Sequence, residues 1–293
     1  MSNHGISRRT LLKTVGVAGA TMAVGTGAAK AAAPAGARDE FRGMLIDTTK
    51  CIGCRTCEVA CAQSKGLPAP DLSPAQVDAH RTTSATALTV VNRYETKAGY
   101  AFLKNQCMHC NQPACASACL TKALLKTETG HVIWRADKCM GCRMCMVSCP
   151  FDVPKFEYSS WNPKIEKCDL CYERTTNGQK PACVEACPAG ALTFGTRREL
   201  LQIARKRIEE NPGTYTNHIY GEHEAGGTAM MYLARADFKE MGMNPSIGTE
   251  PYPTLTKPFL SAVPLIFTVL PTLMLGLHRA TRNTDSQGDQ ERS

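Results

Sequence analysis

The sequence predicts an α+β protein built of two interleaved modules and finished by a single C-terminal transmembrane helix. Three observations carry that expectation. The 16 cysteines fall into four runs of four. Short apolar or alternating stretches flank the runs as strand candidates. The 20 residues from Pro258 to Leu277 contain no charge.

The third run is the most regular. Cys139, Cys142, Cys145 and Cys149 are spaced C-x2-C-x2-C-x3-C and followed by Pro150, which is the spacing of bacterial ferredoxins. A short loop turns three thiolates toward one 4Fe-4S cube, while the fourth, about one helical turn or ~5.4 Å further on, is reserved for a neighbouring cube. One such run implies a second. Cys51, Cys54, Cys57 and Cys61 repeat the spacing, and CIGCRTC beside CMGCRMC is a near copy, with Gly53 and Gly141 where backbone must crowd the cluster. Cys107, Cys110, Cys115 and Cys119 form a looser run, C-x2-C-x4-C-x3-C. Cys168, Cys171, Cys183 and Cys187 form the last, C-x2-C-x11-C-x3-C, with Pro188 after it. All 16 cysteines are thereby read as iron ligands of four 4Fe-4S clusters, in two interleaved dicluster ferredoxin-like modules. An even count in an exported chain also suits a disulfide framework, and the last run alone could pass for a zinc site, but neither explains four repeats of one spacing.

The formal charge is +8. Arg8, Arg9, Lys13 and Lys30, with no acidic residue among residues 1–37, account for half of it. The remainder gives no case for nucleic acid. Residues 7–13 read SRRTLLK, a twin-arginine pattern, followed by a weakly apolar stretch and small-residue cleavage sites. Residues 1–37 are therefore expected to be a signal peptide and linker for the route that exports proteins already folded around their cofactors. Clusters would be assembled in the reducing cytoplasm before export to the periplasm.

Residues 38–100 are expected to be the first part of an outer module. Met44 to Asp47 is its strand, and a cysteine-free insertion over 62–100, opening with Pro68, Pro70 and Pro74, caps one side of the cluster region. Residues 101–157 form the inner module, with a strand at Ala101 to Lys104, a turn at Gly130, and His131 to Trp134 entering the third run. Residues 158–244 complete the outer module. Ala123-Leu124 and Ala191 to Phe194 are equivalent return strands. Thr196 and Glu199 make a capping box for an amphipathic helix that Pro212-Gly213 stop. Met230 to Leu233 is a further strand, and 245–257 a linker.

At ~1.5 Å per residue, the 258–277 stretch spans about 30 Å, the thickness of a bilayer's hydrocarbon. Pro264 and Pro271 are tolerated in a membrane helix where neighbouring helices or a hydroxyl such as that of Thr268 satisfy the freed carbonyls. Arg279 and Arg282 follow the stretch while only Lys257 precedes it, so the positive-inside rule leaves the 278–293 tail cytoplasmic and the cluster domain periplasmic.

Four runs in this order, an 11-residue spacer in the last, a twin-arginine leader and one C-terminal membrane helix resemble the iron-sulfur subunits of periplasmic uptake hydrogenases of the hydrogenase-2 type. The beta subunit of respiratory formate dehydrogenase is similar as well, above all at Gly226 to Tyr232, but it usually lacks its own leader. The leader at Arg8-Arg9 favours the hydrogenase type. The resemblance implies that clusters exchange their fourth ligand between paired runs. One outer cube would take Cys51, Cys54, Cys57 and Cys187, and the other Cys168, Cys171, Cys183 and Cys61. One inner cube would take Cys107, Cys110, Cys115 and Cys149, and the other Cys139, Cys142, Cys145 and Cys119. Ala62 and Leu120 stand where ferredoxin runs often place proline.

The expected function is a non-catalytic, membrane-anchored electron wire on the periplasmic side of the inner membrane. It links a periplasmic catalytic oxidoreductase subunit to a polytopic, quinone-reactive membrane subunit. Lys50, Lys138 and Lys167 each precede the first cysteine of a run and as cations would favour the reduced cluster. A self-sufficient reductase is disfavoured: no phosphate-binding glycine motif, C-x-x-C-H haem site or catalytic constellation is present. A protein whose clusters only hold the fold is the remaining alternative.

Overall fold

A computed structural model of the protein describes residues 40–288; the leader expected over residues 1–37 lies outside that range. Strand β1 (Arg42–Asp47) leads into the first cysteine run and helix α1 (Thr56–Lys65). The insertion holds a short helix α2 (Ala75–Asp78) and strand β2 (Val90–Thr96), which forms a hairpin with the following strand β3 (Gly99–Asn105). Helix α3 (Ala114–Ser117) carries the second run, β4 (Leu124–Lys126) and β5 (Val132–Trp134) form a hairpin, and α4 (Met144–Val147) carries the third. A small ribbon of β6 (Lys155–Phe156) and β7 (Ile165–Glu166) precedes α5 (Tyr172–Thr176) and α6 (Ala182–Glu185) of the fourth. Strand β8 (Leu192–Thr196), helix α7 (Arg197–Glu210), strand β9 (Met230–Leu233) and the long helix α8 (Tyr252–Gly288) complete the chain.

A three-stranded sheet in the order β8-β1-β9 divides the cysteine region from α7. β1 pairs antiparallel with β8, Met44 opposite Phe194, and parallel with β9, Ile46 opposite Tyr232. Both faces are covered, and successive side chains of a strand point to opposite faces. Met44, Ile46, Met230 and Tyr232 pack with Leu103, Met108, Leu170 and Cys183 on the cysteine side. Leu45, Met231 and Leu233 pack with Leu200, Leu201 and Ala204 of α7 on the other. That double burial explains the unbroken apolar run Met230-Met231-Tyr232-Leu233, which on a half-exposed strand would alternate. The capping box of α7 is present: Thr196 Oγ1 accepts from Glu199 N–H and the Glu199 carboxylate accepts from Thr196 N–H.

Around the inner runs, β4 pairs with β5, Leu124 opposite Trp134. Leu124, Val132, Phe156 and Ile165 close a separate small core with Cys115 and Cys145. The strand expected before the second run is present as β3, but its partner is β2 of the insertion.

The insertion is fastened through one carboxylate. Glu58 on α1 accepts from Arg55 Nε at 3.1 Å and Nη2 at 2.9 Å, from Arg81 Nη1 at 3.0 Å and Nη2 at 2.8 Å, and from Val91 N–H at 2.6 Å. Burial pushes its pKa up, but the two guanidinium groups and the Val91 N–H outweigh that and hold it below the usual carboxylate range.

Helix α8 extends beyond the uncharged stretch at both ends. It starts at Tyr252 although Pro253 follows at once, because a first-turn residue has no intrahelical N–H bond to lose. Residues Tyr252–Arg279 are long and apolar enough to cross a membrane, and Phe259, Leu265, Phe267 and Leu277 are exposed along it. The Thr268 hydroxyl donates to the carbonyls of Pro264 and Leu265, both at 3.0 Å. It does not serve the carbonyls of Leu260 and Phe267, four residues before Pro264 and Pro271, to which those prolines have no N–H to give.

Candidate iron-sulfur centres

The near-copy loops of the first and third runs follow one backbone path. Gly53 and Gly141 have φ of 70° and 71°, and Arg55 and Arg143 both have φ of 59°. Left-handed residues at these places curl the chain into the kind of turn whose successive N–H groups favour an anionic group. A Cβ on Gly53 would stand 2.3 Å from the Phe102 ring.

The runs then come together in pairs. Cys51, Cys54, Cys57 and Cys187 line one cavity, which Ile46, Val91 and Leu192 close with apolar surface. Cys61, Cys168, Cys171 and Cys183 line a second. Helices α1 and α6 pack on each other to bring these runs together. Cys107 and Cys149 lie close enough to Cys115, and Cys107, Cys149 and Cys115 close enough to Cys110, to raise those thiols beyond the effect of burial. Cys119, Cys139 and Cys142 act in the same way on Cys145. Around the first and fourth runs the structure thus gathers two sets of four thiols, each with three members from one run and its fourth from the other, while the second and third runs meet through Cys115 and Cys145 in one small core.

None of the 16 is joined in a disulfide. Among the described residues no three His, Cys, Asp or Glu side chains converge as ligands of a single metal ion. A zinc site gathers its ligands on one ion, whereas a cube carries its four thiolates on four separate irons and holds them apart. The thiol sets therefore fit 4Fe-4S clusters rather than mononuclear metal.

Electrostatics point the same way. Burial pushes the thiols of Cys57, Cys61 and Cys115 up to about 12, and that of Cys145 up to about 11. Thiolates in such surroundings require a metal's charge. Cys119 differs: burial raises it, but the N–H groups of Leu124 and Ala123, with the Thr121 hydroxyl, hold it below its ordinary value. Ala123 N–H donates to its Sγ at 3.1 Å, and Leu170 N–H donates to Cys168 Sγ at 3.3 Å.

The lysines singled out in the sequence differ in place. Lys50 and Lys138 are exposed. Lys167 is buried and donates to the main-chain carbonyls of Val132 and Cys168. The lysine with the most central position is one that cysteine spacing does not single out. Lys104 of β3 is buried, lines both outer cavities, and donates to Thr89 Oγ1 at 2.7 Å and Gln106 Oε1 at 2.8 Å. Burial alone would lower its pKa, but Cys183, Cys57, Cys168 and Cys61 together raise it. It stands beside no cysteine in sequence, and its place emerges only when the hairpin of β2 and β3 folds against the outer runs.

Cys54 and Cys142, the second cysteines of the two near-copy loops, are the exposed ones among the 16. Ile52 and Met140 are exposed two residues before each, and Leu120, Met144 and Val147 add apolar surface around the runs that hold Cys119 and Cys142.

Residues 98–197 match the profile of a 4Fe-4S dicluster domain. A protein of Nitratidesulfovibrio vulgaris is 45% identical over 301 residues, covering 98% of this chain and 80% of its own length. The hydrogenase-2 operon protein HybA of Escherichia coli O157:H7 is 37% identical over 237 residues, covering 69% of this chain and 72% of its own. The iron-sulfur subunit of nitrate-inducible formate dehydrogenase from Escherichia coli K12 is 35% identical over 206 residues, covering 67% and 69%. With thiols gathered for iron-sulfur clusters and relatives of this kind along most of its length, the chain belongs to the ferredoxin-type iron-sulfur protein family that includes HybA and the iron-sulfur subunits of formate dehydrogenases.

Proposed function

We propose that this protein is a non-catalytic electron-transfer subunit holding four 4Fe-4S clusters. It would connect a periplasmic catalytic subunit to a quinone-reactive integral membrane subunit. The ligand sets are the crossed ones: Cys51, Cys54, Cys57 with Cys187; Cys168, Cys171, Cys183 with Cys61; Cys107, Cys110, Cys115 with Cys149; and Cys139, Cys142, Cys145 with Cys119. When bound, each cluster supplies a one-electron carrier.

The observation that carries this reading is the order of the thiol sets. Cys183 stands close enough to Cys57, Cys107 to Cys168 and Cys145 to Cys115 to raise those thiols, and on that we read the sets as following one another in a file. Cys54 is exposed in the first set of that file and Cys142 in the last. A file of closely spaced centres open at both ends suits passage between two partners better than a structural role.

Two interleaved modules are the matching architecture. The pairing of β1 with β8 around the first and fourth runs has its counterpart in the pairing of β4 with β5 around the second and third. We assign residues 38–100 and 158–244 to the outer module, 101–157 to the inner, 245–257 to a linker and 258–277 to the membrane span. The twin-arginine leader and the arginines after Leu277 support export and a periplasmic cluster domain. Hydrogen is the donor favoured by the resemblance and by identity to HybA, with formate second at 37% against 35%.

The test is a strain lacking the chain. Membranes should lose donor-driven quinone reduction while the catalytic partner still reduces a viologen dye. Quinone reduction that persists without the chain would exclude the proposed role.

A further inference from the structure

A buried ammonium needs an anion. Lys104 makes no ion pair with a carboxylate among the described residues, and its hydrogen-bond acceptors, Thr89 Oγ1 and Gln106 Oε1, are neutral. Two of its three donors are thereby used. Eight cysteines line the two cavities it borders. Its side chain lines the cavity of Cys51, Cys54, Cys57 and Cys187 and also the cavity of Cys61, Cys168, Cys171 and Cys183. Thr89 and Gln106 line the second cavity as well.

We propose that Lys104 is a fixed counter-charge shared by the two outer iron-sulfur centres, raising the reduction potential of both together. The inference rests on the ligand sets proposed above. A cation beside a centre that gains an electron stabilises the reduced form, and in a dry interior its field is weakly screened. One positive charge reaching both cavities acts on both centres in the same direction, so it adds no large step of its own between them. Lys138, which is exposed although it adjoins Cys139, has its field screened by water. Both cavities that Lys104 lines are those of the outer sets.

The test is an anaerobic redox titration of the full-length chain in detergent, followed by electron paramagnetic resonance. The outer signals are assigned by their loss in Cys54→Ser and Cys171→Ser. With the potential poised at each wild-type midpoint, Lys104→Met should lower the reduced-to-oxidised ratio of both outer centres about tenfold, equivalent to about 59 mV for a one-electron couple. The inner centres should move by less than half as much. Lys104→Arg, which keeps the charge, should restore the wild-type midpoints, and Lys138→Met should change none. Gln106→Glu places an anion against the ammonium without removing it, and should lower the same two midpoints even if Lys104→Met fails to take up clusters.

Iron content separates this proposal from the reading beneath it. Wild-type protein with far fewer than about 16 irons per chain overturns both. A full complement with unmoved outer midpoints in Lys104→Met, or in Gln106→Glu where Lys104→Met does not load, overturns the role of Lys104 alone. A shift that Lys104→Arg shares would make the effect one of packing and also overturn it.

Discussion

Glu58 shows how much can hang on one side chain. Its carboxylate is buried between Arg55 and Arg81 and takes the Val91 N–H besides, so it joins α1, which carries cysteines of the first run, to two points within the insertion. Removing the anion leaves the buried Arg55 without its partner, a loss of about 3 kcal/mol. Glu58→Gln should therefore open the insertion locally, and tryptic cleavage at Arg81 and Arg93 should rise about a hundredfold when reclosure is fast. Unchanged protection would mean that the apolar contacts of Leu88 and Val90 hold the segment by themselves. The sequence made the cysteines conspicuous because ligand spacing is local. Glu58 and Lys104 were not, since their partners are Arg81 and Val91 in one case and two separate cysteine sets in the other. Neither follows from spacing along the chain.

At the scale of elements, legibility tracks sequence distance. The capping box of α7 is a three-residue affair and was readable, as was the strand Met230 to Leu233 from its apolar run. The parallel docking of β9 on β1 joins residues 186 apart, Met44 to Met230, and no local pattern announces it. The ribbon of β6 and β7 is two residues a side, too short to show a period. The start of α8 was masked by Pro253, which reads as linker and sits in the first helical turn. Helix α8 itself is exposed along its apolar length, and Pro264 and Pro271 leave carbonyls that lipid cannot satisfy. A polytopic partner would cover that surface and supply donors. Ending the chain at Lys257 should leave export and cluster content intact, because Cys187 is the last cysteine. Donor-to-quinone activity should fall at least tenfold in membranes while reduction by an artificial donor persists. Full quinone reduction by the truncated protein would reduce the helix to a dispensable anchor.

At the scale of the whole molecule, the pairing of β1 with β8 brings the first and fourth runs side by side and the hairpin β4-β5 does the same for the second and third, which is the arrangement the proposed crossing of ligands requires. The first and fourth runs lie far apart in sequence, yet Cys187 shares a cavity with Cys51, Cys54 and Cys57, and Cys61 shares one with Cys168, Cys171 and Cys183. The most direct measurement is electron paramagnetic resonance of anaerobically reduced Cys187→Ser, beside Cys51→Ser and Cys168→Ser as references. Crossed ligation predicts that Cys187→Ser alters the same centre as Cys51→Ser and leaves the centre altered by Cys168→Ser untouched. A Cys187→Ser spectrum matching that of Cys168→Ser, with the Cys51 centre intact, would contradict it.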